Sequence, residues 1–206
     1  QLERGRTVVE VRRGGEPAGF LSIEDPLRED SVEAVARLRS MGIRPVMATG
    51  DNERTARAVA QAVGIEEVHA QIRPEGKLSL IHDFQALGGK VLMVGDGMND
   101  AAALKGSDVG VAIGSGMDLA IDSADIVIVK GGISRIADAV SISRQTLSVI
   151  RQNLFWAFAY NFLAIPLAMA ALLHPVIAES AMAFSSISVI LNSMRIRAGS
   201  GEKDQR

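Results

Sequence analysis

Residues suited to phosphoryl chemistry occur at three places in the first half of the chain. Residues 95–100 read Gly-Asp-Gly-Met-Asn-Asp and follow a Val-rich apolar run, so that Asp96 and Asp100 stand four positions apart between a strand and a helix. Two carboxylates in such a loop suit Mg²⁺, a hard cation that prefers oxygen ligands and is commonly shared with phosphate oxygens. The motif therefore predicts a magnesium site in the loop that also holds Gly95 and Asn99.

Two further segments could bind the phosphoryl group itself. Thr49 and Gly50 follow another apolar run, and the hydroxyl and the backbone amides there could donate hydrogen bonds to phosphate oxygens. Lys77 could neutralise the charge of the phosphate. Structural interpretations remain open, because Asp51 or Asn52 could be a helix N-cap and Lys77 could lie on a solvated helix face. These residues alone identify no nucleophile.

The elements that must position these residues are short strands alternating with amphipathic helices over about the first 130 residues. This alternation predicts an α/β fold with a parallel sheet covered on both faces, whose chemistry is concentrated where strands end. The predicted strands are residues 7–11, 18–23, 44–48, 91–94, 109–113 and 126–129, and the predicted helices are residues 31–41, 53–63, 75–87 and 99–105.

The composition changes after about residue 150. Residues 154–173 contain no charged side chain, and this run has about the length needed to cross a ~30 Å hydrocarbon core. Residues 176–194 form a second apolar run, interrupted only by Glu179, and arginines flank the outer ends of both runs. The positive-inside tendency then places both ends in the cytoplasm. We expect a membrane hairpin after a helix over about 134–151; a buried hairpin in a large soluble protein is the alternative.

Four side chains in the two apolar runs are candidate ligands, since polar groups within a span are costly and invite a functional hypothesis. Tyr160 and Asn161 are adjacent in the first run, while Met182 and Ser186 are four apart in the second and share a helix face. The methionine thioether is a soft ligand that suits Cu(I). Close packing by small residues and gap filling by methionine are the alternative interpretation.

Composition also narrows the class of partner. The formal net charge of −2 gives no support for a nucleic-acid partner. The chain has no cysteine, which excludes a disulfide or a thiolate metal site within it. The polar residues 1–16 are unlike a signal peptide. Because the chain has no initiator methionine, we expect it to be a piece of a longer polypeptide.

In their order along the chain, these motifs resemble those of the heavy-metal P-type ATPases. Residues 49–51, Lys77 and residues 94–104 resemble the later motifs of the haloacid-dehalogenase-like phosphorylation domain of that family. Asp25 and Arg28 belong to an Asp-Pro-x-Arg segment that resembles the start of the same region. The family's aspartate nucleophile lies in an Asp-Lys-Thr-Gly-Thr motif that this chain does not contain, so the isolated chain is predicted to be inactive.

The resemblance implies roles for the matching residues. Asp96 ligates Mg²⁺ with Asn99 and Asp100 in support, while Thr49, Gly50 and Lys77 hold the phosphoryl group. Asp51 and Gly95 lie close to ATP, and Asp25 and Arg28 lie at the hinge and the nucleotide edge. In the apolar runs, the pairs Tyr160–Asn161 and Met182–Ser186 resemble the signature of the branch that transports Cu(I) or Ag(I). Zinc-type and cadmium-type members instead carry a lysine and an aspartate, which both runs lack.

The resemblance also predicts the domain organisation and the partners. Residues 1–17 would be a remnant of the nucleotide-binding domain and residues 18–143 a Rossmann-like phosphorylation domain without its nucleophile strand. Residues 144–196 would form a linker helix and two transmembrane helices, and residues 197–206 a disordered tail. The expected partners are the rest of the pump polypeptide and the lipid bilayer. A membrane-anchored phosphatase of the same superfamily and a non-catalytic subunit that binds nucleotide and Mg²⁺ are the alternatives.

Overall fold

The structure of the chain is a computed structural model that describes residues 7–23, 26–96, 99–114, 122–170 and 174–196. The chain divides into two compact units, residues 1–137 and residues 138–206. Asp25 of the predicted hinge and the predicted tail over residues 197–206 lie outside the described residues.

The first unit opens with an antiparallel hairpin of β1 (Thr7–Arg13) and β2 (Glu16–Ile23). Gly14 and Gly15 connect the two strands with φ values of 65° and 90°. Such left-handed backbone favours glycine and is what a two-residue hairpin turn requires. The predicted domain boundary after residue 17 falls inside β2.

The other five strands that the structure describes in the first unit form two parallel sheets. One sheet pairs β3 (Val46–Ala48) with β4 (Glu67–His69), and the other has the order β5 (Leu92–Gly95), β6 (Val109–Ile113), β7 (Ile126–Ile128). The predicted parallel pairing is confirmed, although the described strands form two sheets where one was expected. The sequence did not predict β4, because Val68 is its only apolar residue and three residues carry no readable periodicity.

Among the described residues, four helices connect these strands: α1 (Ser31–Ser40), α2 (Glu53–Val63), α3 (Pro74–Ala86) and α4 (Ala101–Gly106). Their bounds lie within two residues of the predicted ones. In α2 the reason is visible, since the Asn52 side chain accepts a hydrogen bond from the Thr55 amide at 3.0 Å and Gly64 ends the helix with left-handed backbone. Asn52 therefore caps α2, and Asp51 does not.

Two long helices follow. The first, α5 (Ser134–Met169), is a continuous helix of 36 residues that joins the helix predicted over about 134–151 to the first predicted span. Residues 144–156 contain neither glycine nor proline, and nothing there ends the helix. The second, α6 (Pro175–Ser193), begins with a proline at its first position, where the missing amide proton costs nothing.

The predicted membrane hairpin of residues 154–173 and 176–194 is not confirmed by these helices. In the ranges that the structure describes, no helix is both long enough and apolar enough to qualify as a bilayer-spanning segment. Residues 171–173, at the end of the first predicted span, are outside those ranges.

The core of the first unit packs against both faces of the three-stranded sheet. Val111, Ile128 and Ile136 form one buried cluster, and Leu104 and Ala112 form another. Ile136 belongs to the first turn of α5, so the beginning of that long helix is part of the core of the first unit.

Candidate functional site

Lys77 and Asp100 form an ion pair that is largely removed from water. The Nζ atom of Lys77 lies 2.6 Å from Oδ1 of Asp100, and the two side chains are only 15% and 10% exposed. Low exposure strengthens their attraction and makes either charge costly without the other. Lys77, which α3 supplies, therefore does not lie on a solvated helix face.

Gly95, the last residue of β5, lies directly against the Asp100 carboxylate. A Cβ atom at position 95 would lie 2.5 Å from Oδ2 and 2.8 Å from Cβ of Asp100. Any side chain at position 95 would therefore displace Asp100 from its place beside Lys77. Asp96 and Asn99 are exposed in the same loop, and residues 97 and 98 between them are outside the described ranges.

Thr49 and Asp51 form a second polar group just beyond β3. The Thr49 hydroxyl donates to Oδ2 of Asp51 at 2.9 Å and accepts from the Asp51 amide at 3.1 Å. The Thr49 amide donates to the His69 carbonyl, and the Ile72 amide donates to the Thr49 carbonyl, each at 3.0 Å. Backbone hydrogen bonds thus tie the loop at Thr49 to the segment that follows β4.

That segment also connects the loop at Thr49 with Lys77. It runs straight into α3, and a Cβ atom at Gly76 would lie 3.0 Å from Cγ2 of Ile72. The first turn of α3 therefore packs against the segment bonded to Thr49 while presenting Lys77 to Asp100. Gln71 in this segment has a φ of 55°, which is uncommon for a residue with a side chain.

Sequence reasoning missed this connecting segment, because β4, its upstream neighbour, carries no strand pattern. No residue between His69 and Arg73 belongs to a recognisable motif. The only available signal was Pro74, which is favoured at the first position of a helix and marks the start of α3.

Asp108 holds the start of β6 against residues near the C-terminal end of α3. Its carboxylate accepts hydrogen bonds from Nζ of Lys90 at 2.7 Å, the Val91 amide at 3.0 Å and Nε2 of Gln85 at 3.1 Å. The Lys90 hydrogen bond, followed by those from Val91 and Gln85, holds the pKa of Asp108 well below its usual range. Hydrogen bonding to Asp108 in turn raises the pKa of Lys90. This group fixes the strand and takes no part in the candidate site.

The donor set at the end of β5 fits Mg²⁺. Asp96 and Asp100 offer carboxylate oxygens, and the Lys77 ammonium contacts Oδ1 of Asp100. Within the described ranges, no three His, Cys, Asp or Glu side chains come together as a metal cluster. Mg²⁺ needs only one or two protein carboxylates when phosphate and water supply its other ligands.

The candidate ligands in the second unit lie on α5 and α6. The Asn161 side-chain amide donates to the Ala157 carbonyl at 3.0 Å, and the Ser186 hydroxyl donates to the Met182 carbonyl at 3.1 Å. Both hydrogen bonds stay within their own helix. Met182 is 71% exposed, and the Tyr160 ring lies 6.2 Å from the Trp156 ring, centroid to centroid.

A loop of paired carboxylates after a parallel strand, with a buried lysine beside it, fits the phosphate-handling α/β hydrolases, and comparison with known proteins agrees. Residues 1–108 match the family model of the haloacid dehalogenase-like hydrolases. The chain belongs to the haloacid dehalogenase-like hydrolase family, and its predicted α/β fold of that type is confirmed.

Over almost its whole length the chain is also homologous to copper-exporting P-type ATPases, which confirms the predicted resemblance. It is 49% identical over 197 residues to the probable copper-exporting P-type ATPase V of Mycobacterium tuberculosis (strain CDC 1551 / Oshkosh), covering 96% of this chain and 26% of the relative. It is 48% identical over 193 residues to the copper-exporting P-type ATPase of Bacillus subtilis (strain 168), covering 94% and 24%. The chain thus spans about a quarter of the length of these relatives.

A solved structure extends the similarity to three dimensions. The crystal structure of a zinc-transporting PIB-type ATPase in the E2.Pi state superposes with a TM-score of 0.85 at 31% sequence identity. The match covers 95% of this chain and 32% of that one, so it includes the α/β unit and the long helices that follow.

Proposed function

We propose that this chain is part of an ATP-driven pump that exports Cu(I) or Ag(I) through an aspartyl-phosphate intermediate. The observation that carries the proposal is the buried Lys77–Asp100 pair beside Asp96, in a chain 48–49% identical to copper exporters. The rest of the pump polypeptide supplies the nucleophilic aspartate, because this chain has no Asp-Lys-Thr-Gly-Thr motif. The chain on its own therefore hydrolyses no ATP.

The residues around Lys77 hold the transferred phosphoryl group. The Lys77 ammonium lowers the cost of bringing phosphate charge to the end of β5, and the Asp100 carboxylate keeps that ammonium in place. The Thr49 hydroxyl exchanges its hydrogen bond with Asp51 for one with a phosphate oxygen, while the Gly50 amide donates another. Asp51, released from Thr49, lies on the side of the bound nucleotide.

Asp96 and Asp100 would hold Mg²⁺, with Asn99 in support. The bound ion would neutralise charge on the phosphate oxygens, as it does in phosphoryl-transfer enzymes generally. Gly95 leaves the room that Asp100 needs beside the end of β5. Arg28, which is exposed just before α1, and Asp25 would lie at the nucleotide edge of the hinge.

The missing nucleophile strand belongs beside the open edges of the two parallel sheets. In the described ranges β5 pairs only with β6, and β3 pairs only with β4, so each has one edge without a strand partner. A strand inserted there would end next to Thr49 and Asp96, since the carboxyl ends of parallel strands meet at one edge of a sheet. This arrangement would join residues 18–143 into one complete phosphorylation domain, with residues 1–17 left to the nucleotide-binding domain.

We place the later part of α5, together with α6, in the membrane part of the pump, with both ends of the hairpin in the cytoplasm. Neither helix qualifies as a span on its own in the described ranges. The support is the exposure of large apolar side chains, such as Phe162 at 79% and Phe184 at 70%, which a lipid or protein-lined membrane environment would cover. The multi-pass membrane location of P-type ATPases agrees with this placement.

Tyr160, Asn161, Met182 and Ser186 would contribute to the site of the transported ion. The soft thioether of Met182 favours Cu(I) or Ag(I) over Zn²⁺. The solved zinc-transporting structure is only 31% identical to this chain, against 48–49% for the copper exporters, and neither apolar run carries the lysine and aspartate expected of a zinc transporter.

The test is phosphoenzyme formation from radiolabelled ATP by the full-length pump in the presence of Cu(I) or Zn²⁺. We expect Cu(I) alone to support phosphorylation, and Met182→Leu to weaken Cu(I) binding at least tenfold. Met194→Leu, a change to an equally exposed methionine just after α6, is the matched control and should bind Cu(I) normally. Unchanged affinity in Met182→Leu would remove Met182 from the site.

The two alternatives give different results in assays of this chain alone. Release of phosphate from a simple phosphomonoester would favour a membrane-anchored phosphatase. Binding of nucleotide with Mg²⁺, combined with a full-length protein that forms no phosphoenzyme, would favour a non-catalytic subunit.

A further inference from the structure

The Asp30 side chain fastens the beginning of α5 to the first unit. Its Oδ2 atom accepts a hydrogen bond from the Ser134 amide at 2.8 Å, across 104 positions of sequence. The Asp30 carbonyl accepts from the Ala34 amide at 2.9 Å, so the same residue also begins α1. The first amides of a helix have no partner within it, and an aspartate oxygen is among their best caps.

The backbone before α5 is shaped around this carboxylate. A Cβ atom at Gly132 would overlap both carboxylate oxygens of Asp30, so only glycine leaves the room that the contact needs. Burial by itself would raise the pKa of Asp30, but hydrogen bonds from the Ser134 amide and hydroxyl and the nearby charge of Arg28 outweigh it and lower the pKa. Asp30 is therefore charged at neutral pH, as a cap should be.

The turn that Asp30 caps is also anchored in the apolar core. Ile136 is 2% exposed and Ala137 is fully buried, and Ile136 clusters with Val111 and Ile128 on one face of the three-stranded sheet. Leu38 of α1 packs against the same cluster. The first turn of α5 is thus held by one hydrogen bond, to Asp30, and by one apolar cluster, and both lie within the first unit.

From this anchored turn α5 continues without interruption to the residues proposed as ligands. With a rise of 1.5 Å per residue, the helix extends about 39 Å from Ser134 to Tyr160. Pro166, the proline inside the helix, comes only after Asn161. The turn fixed in the first unit therefore belongs to the same helix as Tyr160 and Asn161.

We propose that Asp30 is a positioning residue that couples the phosphorylation unit to the ion site through α5. The proposal rests on the proposed function of the chain as part of a pump. Asp30 follows Arg28 of the hinge segment by two positions. A change of backbone conformation at the hinge would therefore be transmitted to the first turn of α5 through the Asp30 side chain. Without the cap, phosphorylation proceeds but no longer changes the conformation of the ion site, and transport stops.

The experiment compares Asp30→Ala, Asp30→Asn and Gly132→Ala in the full-length pump, with Glu29→Ala as the control for the loss of a neighbouring exposed carboxylate. In Asp30→Ala we expect phosphoenzyme levels within about twofold of the unsubstituted pump but Cu(I)-stimulated turnover reduced at least tenfold. Asparagine caps a helix about as well as aspartate, so Asp30→Asn should restore turnover. Gly132→Ala should reproduce Asp30→Ala, because its Cβ displaces the carboxylate.

Hydrogen exchange of the amides at residues 134–136 checks that the cap itself was lost. It should be about fivefold faster in Asp30→Ala and unchanged in Glu29→Ala. Normal turnover in Asp30→Ala, or an equal fall of phosphoenzyme and turnover, would overturn the coupling role. If the unsubstituted pump forms no Cu(I)-dependent phosphoenzyme, the proposed function fails and the coupling role fails with it. If the unsubstituted pump does form it, and Asp30→Ala loses turnover but keeps its phosphoenzyme, both the proposed function and the coupling role are supported.

Discussion

The Lys77 ammonium and the Asp100 carboxylate neutralise each other in a place where water reaches neither well. We predict that Lys77→Met lowers the free energy of unfolding of this chain by about 3 kcal/mol or more, because it leaves the Asp100 charge buried without a partner. Urea denaturation followed by circular dichroism measures the loss. The double variant Lys77→Met with Asp100→Leu should recover much of it.

The exposed pair of Arg57 and Glu53 provides the matched control. It has the same 2.6 Å separation, but its side chains are 71% and 55% exposed. Arg57→Met should therefore cost no more than about 0.5 kcal/mol, as is usual for an exposed pair on one helix. Equal losses in the two variants would mean that exclusion of water at Asp100 is unimportant.

The hydrogen bonds to Asp108 make a prediction about acid stability. A carboxyl group whose pKa is lower in the folded chain than its unfolded value near 4 stabilises the fold above that value, and this contribution is lost as the pH falls. Asp108→Asn should therefore lose less stability than the unsubstituted chain between about pH 5 and about pH 2. Thermal unfolding at each pH provides the measurement, with Asp83→Asn on α3 as control. A steeper fall of stability with decreasing pH in Asp108→Asn than in the unsubstituted chain would contradict this prediction.

At this scale the sequence predicted the residues that belong to short local motifs. Asp96, Asp100 and Thr49 could be proposed because each lies in a recognisable run of residues that follows an apolar strand. Asp30 was not found, because its partner lies 104 positions away and no local pattern marks the contact. Contacts between distant parts of the chain depend on the fold, and a single sequence carries little information about them.

Among the elements, α5 and α6 are joined by a network of polar side chains in the second unit. The Asn192 amide donates to Oδ1 of Asn153 at 2.9 Å and to Oε1 of Gln152 at 3.2 Å, and the Asn153 amide donates to the Ser193 hydroxyl at 3.0 Å. Arg195 donates to Oδ1 of Asn192 at 3.3 Å. The Asn192 side chain thus uses both amide protons and its oxygen.

We predict that Asn192→Ala weakens the association of α5 with α6 by about 1–2 kcal/mol, since it leaves Gln152 and Asn153 without their donor. Hydrogen exchange of the amides near those two residues, in the full chain in detergent micelles, should accelerate about tenfold. Ser188→Ala is the control, because the Ser188 hydroxyl donates only to its own helix, at the Ser185 carbonyl. Similar exchange in both variants would show that the network does not hold the helices.

Most element bounds could be predicted from apolar periodicity and capping residues, as in α2 with Asn52 and Gly64. The missed strand, β4, has one apolar residue, and a strand this short exists because β3 beside it supplies the hydrogen bonds. The change of composition near residue 154 is not accompanied by a change of secondary structure, because α5 continues through it. A helix continues through such a change when no residue ends it.

For the molecule as a whole, the placement of α5 and α6 in a membrane can be tested with single cysteines, because the chain contains none of its own. In lipid vesicles, Phe162→Cys should resist a membrane-impermeant maleimide until detergent is added. Ser40→Cys, at the exposed end of α1 in the first unit, should react at once and serves as the control. Equal reactivity of the two cysteines before detergent would place Phe162 in water.

The contact between Asp30 and Ser134 also affects how this polypeptide is synthesised. At about 5–20 residues per second, translation delivers Ser134 roughly 5–20 s after Asp30. Throughout that interval the Asp30 carboxylate before α1 has no Ser134 amide to accept from, and the cluster around Val111 lacks Ile136. The first unit therefore completes its folding only after the first turn of α5 has been synthesised. A messenger RNA truncated before the codon for Ser134 would yield an incompletely folded product that proteases degrade, and not a smaller stable domain.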